Sequence, residues 1–160
     1  MTRLAILRAL AAAFLGVAIT AGAAHAFSGG GSSNTAAKVD PDFTAAQAAV
    51  QDEDFPAAVA LLTKVVGQSP KVADAQNLLG YSYRKLGDLD NAIVHYTAAL
   101  EIDPKHKNAH EYIGEAYLEL GDLESAEMHL KALDKICLFG CPAYRELKRA
   151  IKAYKKNLAS

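Results

Sequence analysis

Residues 78–104 read LLGYSYRKLGDLDNAIVHYTAALEIDP, and residues 112–138, 34 positions further on, read YIGEAYLELGDLESAEMHLKALDKICL. Leu79-Gly80 is answered by Ile113-Gly114, Tyr83 by Tyr117, Gly87-Asp88 by Gly121-Asp122, and Ala92 by Ala126. A repeat of this length means pairs of helices that stack on one another. Such stacks expose a long surface and are used for binding more than for chemistry.

Working outward, the chain divides into seven expected helices at roughly 41–52, 55–67, 71–86, 89–102, 105–120, 123–137 and 142–157. Asp40-Pro41 combines a capping side chain with proline at the first helical position. Gly67, Gly87 and Gly121 stand where helices should end in a left-handed residue. Asp88 and Asp122 follow two of these glycines and can cap the next helix. Pro70 and Pro104 open the connections between pairs. No stretch alternates with the period of two that a strand requires. The fold class is therefore all-α, a solenoid of helix-turn-helix repeats.

The repeats resemble the tetratricopeptide family, with copies at 39–72, 73–106 and 107–140. Leu79, Gly80, Tyr83, Gly87, Asp88, Ala92, Tyr96, Ala99 and Pro104 occupy the family's signature positions in the middle copy. Gly80 and Ala92 let two helices approach, while Tyr83 and Tyr96 fill the gap between neighbouring pairs. The first copy keeps Ala58, Leu62 and Pro70 but has Ala46 for the glycine and Ala49 for the tyrosine. The third lacks the final proline, where Leu138 stands. Residues 141–160 supply a closing helix. Its Tyr144, Leu147, Ile151, Tyr154 and Leu158 recur as one apolar stripe.

The resemblance implies a concave groove, lined by the first helix of each pair, that holds a protein or peptide partner. The matching positions are Phe43, Thr44, Ala48 and Gln51 in the first copy. The second supplies Asp74, Asn77, Leu78, Tyr81 and Arg84, and the third Asn108, Glu111, Tyr112, Glu115 and Glu119. This groove should be basic and amide-bearing in its middle and acidic at one end. Glu111 and Glu115 argue against a terminal carboxylate as ligand.

The first 26 residues have a different character. Arg3 and Arg8 precede an apolar run, which ends in Ala24-His25-Ala26, and no acid occurs before Asp40. This is the pattern of a secretory signal peptide cut after Ala26, which implies a periplasmic or secreted protein. The glycine- and serine-rich segment within 27–39 reads as a flexible linker. Without residues 1–26, 15 Lys and Arg face 18 Asp and Glu, a balance that gives no reason to expect nucleic acid. The charge is uneven, however. Residues 142–158 carry six Lys or Arg and one acid, so the closing helix has a basic outer face. Contact of that face with a membrane surface is conceivable but not the favoured role.

Cys137 and Cys141 flank Leu138-Phe139-Gly140, just before Pro142. In an oxidising compartment an even, close pair reads as a disulfide. Redox activity of a helix-terminal thiolate and binding of a soft metal, with Met128 and His129 as further ligands, are the rival readings. Those rivals define the alternative function, a metal-handling or thiol-redox accessory protein. His95 and His129 are 34 apart on what should be a solvated convex face, and repeat identity explains their spacing. His110 is expected to be a packing residue. No phosphate loop, nucleophile elbow or zinc-protease motif occurs, so neither an enzyme, a cofactor nor a dedicated metal site is expected. The reading as a whole is an exported adaptor that binds another protein.

Overall fold

A computed structural model describes residues 40–159. The expected leader and the expected linker lie outside these residues. Seven helices follow in order: α1 (Pro41–Gln51), α2 (Phe55–Gln68), α3 (Ala73–Lys85), α4 (Leu89–Ile102), α5 (Lys107–Glu119), α6 (Leu123–Ile136) and α7 (Pro142–Leu158). The described residues contain no strand. Helices α1 and α2, α3 and α4, and α5 and α6 pack as antiparallel neighbours, and α7 lies against both α5 and α6.

Local chemistry places the helix ends. The Asp40 carboxylate accepts from the backbone N–H groups of Asp42 and Phe43, while Pro41 occupies the first turn. Asp54, Asp88 and Asp122 accept from Ala57, Asn91 and Ser125 at 3.1, 3.1 and 3.0 Å. These bonds use N–H groups that a helix cannot satisfy internally. Gly87 and Gly121 have φ of 81° and 83°. Beyond them, Asp88 N–H and Asp122 N–H reach back to the Tyr83 and Tyr117 carbonyls at 2.9 and 2.8 Å. That is the six-to-one bond of a Schellman ending.

Gly67 departs from expectation. It lies inside α2, and the left-handed residue of the first repeat is Glu53, with φ of 58°. Asp54 N–H still reaches the Ala49 carbonyl at 2.8 Å, so the same ending forms without glycine. Helices α3 and α5 also begin two residues later than the periodicity suggests. At the second junction, Asp103 accepts from Lys105 N–H in a tight turn and His106 caps α5 instead.

The core follows from small residues at crossing points. A Cβ on Gly80 would stand 2.8 Å from the Tyr96 ring and 3.0 Å from the Ala92 carbonyl oxygen. Tyr96 is fully buried and packs onward against Ile113 and Ala116 of the next pair. Gly114 plays the corresponding part for α7, because a Cβ there would stand 2.7 Å from Leu147. Leu147 and Ile151 are buried, and Tyr144 and Tyr154 pack around them. Leu158, expected in the same stripe, is instead 67% exposed at the end of α7. The α7 cations are partly engaged: Arg149 pairs with Glu146 and Lys155 with Glu127, and Arg145 donates to the Gly140 carbonyl.

Candidate functional site

One face, built from α3, α5 and α7 with the start of α2, carries an aromatic row beside a cluster of charges. The Phe55 and Tyr81 rings meet edge to face at 6.1 Å, Tyr81 and Tyr112 lie 5.2 Å apart, and Tyr112 reaches Tyr96 at 6.2 Å. The Lys85 ammonium sits 5.6 Å from the centre of the Phe55 ring. Rings held in this way present rigid contact area at low entropic cost.

Arg84 is the hub of the charges. Its guanidinium reaches Glu115 and Glu119, each at 2.6 Å, and so ties α3 to α5. Burial works against the Arg84 charge, but the two carboxylates outweigh it and raise its pKa. The expected basic centre is therefore absent: the arginine is consumed by the acids of the next repeat. Glu111 lies one turn from Glu115 on the same helix. Burial first, then the nearby carboxylates of Glu115 and Glu146, push its pKa up to about 7, with Arg84 opposing. Arg84, Glu115, Leu118 and Glu119 also border a depression of about 270 Å³, closed on the far side by Ala150, Tyr154 and Asn157 of α7.

The structure brings together Tyr81, Arg84, Glu111, Tyr112 and Glu115 from the expected set. Phe43 packs into the core of the first repeat instead, and Asn77 is buried. Asn108 is exposed at the start of α5, while Asp74 is bonded to His106 at 3.0 Å. Thr44, Ala48 and Gln51 are exposed on α1. Among the described residues, two buried side-chain polar atoms have no partner, the Asn77 Oδ1 and the Tyr96 hydroxyl. The charged and phenolic neighbours of that hydroxyl are Arg84, Tyr112, Glu115 and Tyr81, so it belongs to the floor of this face. Sequence reasoning missed Phe55, which lies on the second helix of its pair and follows a capping aspartate. It also treated Tyr96 as packing alone.

The histidines are not on a solvated face. His95 and His129 are half-buried against the first helix of their own pairs and stack on Tyr83 and Tyr117 at 5.5 and 5.8 Å. His110 is buried as expected. Cys137 and Cys141 face each other across the turn between α6 and α7, with Cα atoms 5.5 Å apart. Between them Leu138 and Phe139 are exposed. Among the described residues no group of three or more His, Cys, Asp or Glu is arranged to hold a metal ion, and no helix is long and apolar enough to cross a membrane.

Antiparallel helix pairs repeated at 34 residues, joined by glycine turns and closed by an amphipathic helix, define an α-solenoid of the helix-turn-helix type. Tetratricopeptide-repeat family models match residues 43–107 and 83–151, together most of the chain, and the protein belongs to the tetratricopeptide-repeat family. Solved structures share the fold. The first tetratricopeptide domain of Spaghetti (RPAP3), bound to the HSP90 peptide SRMEEVD, superposes with a TM-score of 0.66 at 16% identity, over 74% of this chain and 91% of that one. The TPR2B domain of yeast Sti1 in its pHsp70 complex gives 0.66 at 21% identity, over 72% and 94%. The Yersinia enterocolitica type III secretion chaperone SycD, in complex with a peptide of the translocator YopD, gives 0.63 at 19% identity, over 74% and 89%. A search of curated proteins found no match.

Proposed function

We propose that this protein is an exported, non-catalytic adaptor that holds a segment of another protein on the face formed by α3, α5 and α7. The observation that carries this reading is the Phe55–Tyr81–Tyr112 row beside the Arg84–Glu115–Glu119 bridge. Aromatic anchors next to fixed polar groups are the usual makings of an interface hot spot. Solved structures that share the fold carry an HSP90 peptide in one case and a YopD peptide in another, which supports a peptide-sized occupant here. The leader-like residues 1–26 support a location in the periplasm or outside the cell. In that oxidising setting Cys137 and Cys141 form a disulfide that steadies the entry into α7.

The test is affinity capture from the native cell, with Tyr81→Ser/Tyr112→Ser as the comparison. The parent should retain a specific protein that the double variant loses, at unchanged helix content. A partner retained equally by both would remove the aromatic row from the function. Intact mass of the exported protein should begin at Phe27, and a full-length chain in the membrane fraction would refute the leader.

A further inference from the structure

We infer that the partner segment seated on this face is cationic, a stretch of another protein that presents lysine or arginine between apolar residues. This inference rests on the reading of α3, α5 and α7 as the binding face and deepens it. Three observations carry it.

The charge on the face is unbalanced. Glu111, Glu115 and Glu119 of α5 stand against Arg84, which is already committed to Glu115 and Glu119, and Lys85, which lies over the Phe55 ring. None of the ion pairs among the described residues involves Glu111. It is a half-buried carboxylate, and Arg84, the cation that favours its charge, is bonded to Glu115 and Glu119 instead.

The second observation is the aromatic floor. Tyr81 and Tyr112 lie ring against ring at 5.2 Å, and Lys85 over Phe55 shows that this row already attracts an ammonium group. Ring faces carry negative quadrupole density and favour cations over anions.

The third is an unmet polar atom in the floor of the face. The Tyr96 hydroxyl, fully buried among Tyr81, Arg84, Tyr112 and Glu115, lacks a hydrogen-bond partner, and its oxygen can accept. A lysine brings three donors and an arginine five, and neither brings an acceptor. An acidic segment would meet Glu111 and Glu115 with like charge.

Titration supplies an independent signature. The groups that face Glu111 are Glu115 on its own helix, Glu146 on α7 and Arg84 on α3. With its pKa near 7, Glu111 loses its charge as pH falls from 8 to 6. A cationic occupant should therefore bind more weakly at pH 6.

The experiment uses two fluorescent 15-residue amphipathic peptides with identical leucine and tyrosine positions, one with lysine and one with glutamate at every polar position. Binding to the purified chain is read by anisotropy. The lysine peptide should bind at least tenfold more tightly. Glu111→Gln should weaken it about tenfold and flatten its pH dependence between 6 and 8, with helix content unchanged. Equal or tighter binding of the glutamate peptide, no binding of the lysine peptide, or parental affinity in E111Q overturns the inference. The captured cellular partner separates the two claims. If Tyr81→Ser/Tyr112→Ser loses it and E111Q does not, the binding face stands and the cationic occupant falls. Self-association that E111Q abolishes would mean that the occupant is the basic α7 of a second copy, and would overturn a separate partner.

Discussion

The Nδ1 atoms of His110 and His129 lie 2.9 Å apart, and this bond repeats one made 34 residues earlier by Gln76 and His95 at 2.8 Å. His110 Nε2 lies 3.1 Å from the Pro104 carbonyl, as Gln76 Nε2 lies 3.4 Å from that of Pro70. A carbonyl only accepts, so His110 carries its proton on Nε2 and accepts at Nδ1 from His129 N–H. Two neutral imidazoles thus do the work of one amide and one imidazole. They tie the end of one pair to both helices of the next.

His110→Gln should consequently be tolerated, with stability within about 1 kcal/mol of the parent, because glutamine offers the same donor and acceptor. His110→Leu leaves the Pro104 carbonyl and the His129 N–H without partners and should cost about 1–3 kcal/mol. Urea unfolding of both variants decides this. Equal losses would show that packing, not the bond, matters at this position.

The same pair makes the fold sensitive to acid. Burial, and then the neighbouring His110, lower the His129 pKa to about 4, and burial lowers those of His95 and His110 as well. An unfolded histidine titrates near 6.5, so below that pH the unfolded chain binds more protons than the native one. The stability held by these neutral rings is complete above about pH 6.5 and is lost as pH falls toward 4. Glu111 acts in the opposite sense between 7 and its unfolded value, because its folded pKa is raised. The urea midpoint of a Glu111→Gln/His110→Gln variant should therefore fall less steeply than that of Glu111→Gln between pH 6.5 and 5.

Gly80→Ala should destabilise by about 1–2 kcal/mol, because overpacking against the Tyr96 ring and the Ala92 carbonyl outweighs the better helix propensity of alanine. Gly114→Ala should cost less. Its nearest neighbours are the terminal methyls of Leu147, which can move further than a ring backed by a helix carbonyl. Thermal melts that rank the two in the reverse order would contradict this account of the helix crossings.

Glu53→Gly should raise stability by about 0.5–1 kcal/mol. The first turn holds a left-handed non-glycine residue where the later repeats have Gly87 and Gly121. The relieved backbone strain exceeds the entropy that glycine adds to the unfolded chain. A lower melting temperature for this variant would mean that the Glu53 side chain has an unrecognised role.

Cys137→Ser/Cys141→Ser should lower stability by about 2 kcal/mol, the value for closing so short a loop, and leave α7 docked through Leu147 and Ile151. Alkylation of freshly exported protein should find no free thiol. Two reactive thiols there would dismiss the structural bond and return the redox or metal reading.

The repeats, their helix count and their turns were written in the sequence, because each depends on contacts within one 34-residue unit. Gly87-Asp88 and Gly121-Asp122 announce a left-handed ending and a cap without reference to anything distant. Gly67 misled because a glycine is compatible with a helix end without requiring one, and only the hydrogen bond of Asp54 to Ala49 marks Glu53 as the turn residue. What passes between repeats was not legible. The stacking distance and tilt of neighbouring pairs decide that Arg84 meets Glu115 and Glu119, which turns an expected basic centre into an acidic one. Packing within a pair half-buries His95 and His129 against Tyr83 and Tyr117, although a periodic reading assigned them to solvent, and the spacing between pairs brings Phe55 of one against Tyr81 of the next. Sequence alone thus determined the units and their order, since local backbone chemistry is enough for that. The character of the candidate face was left to tertiary packing, because each of its contacts joins side chains from different helix pairs.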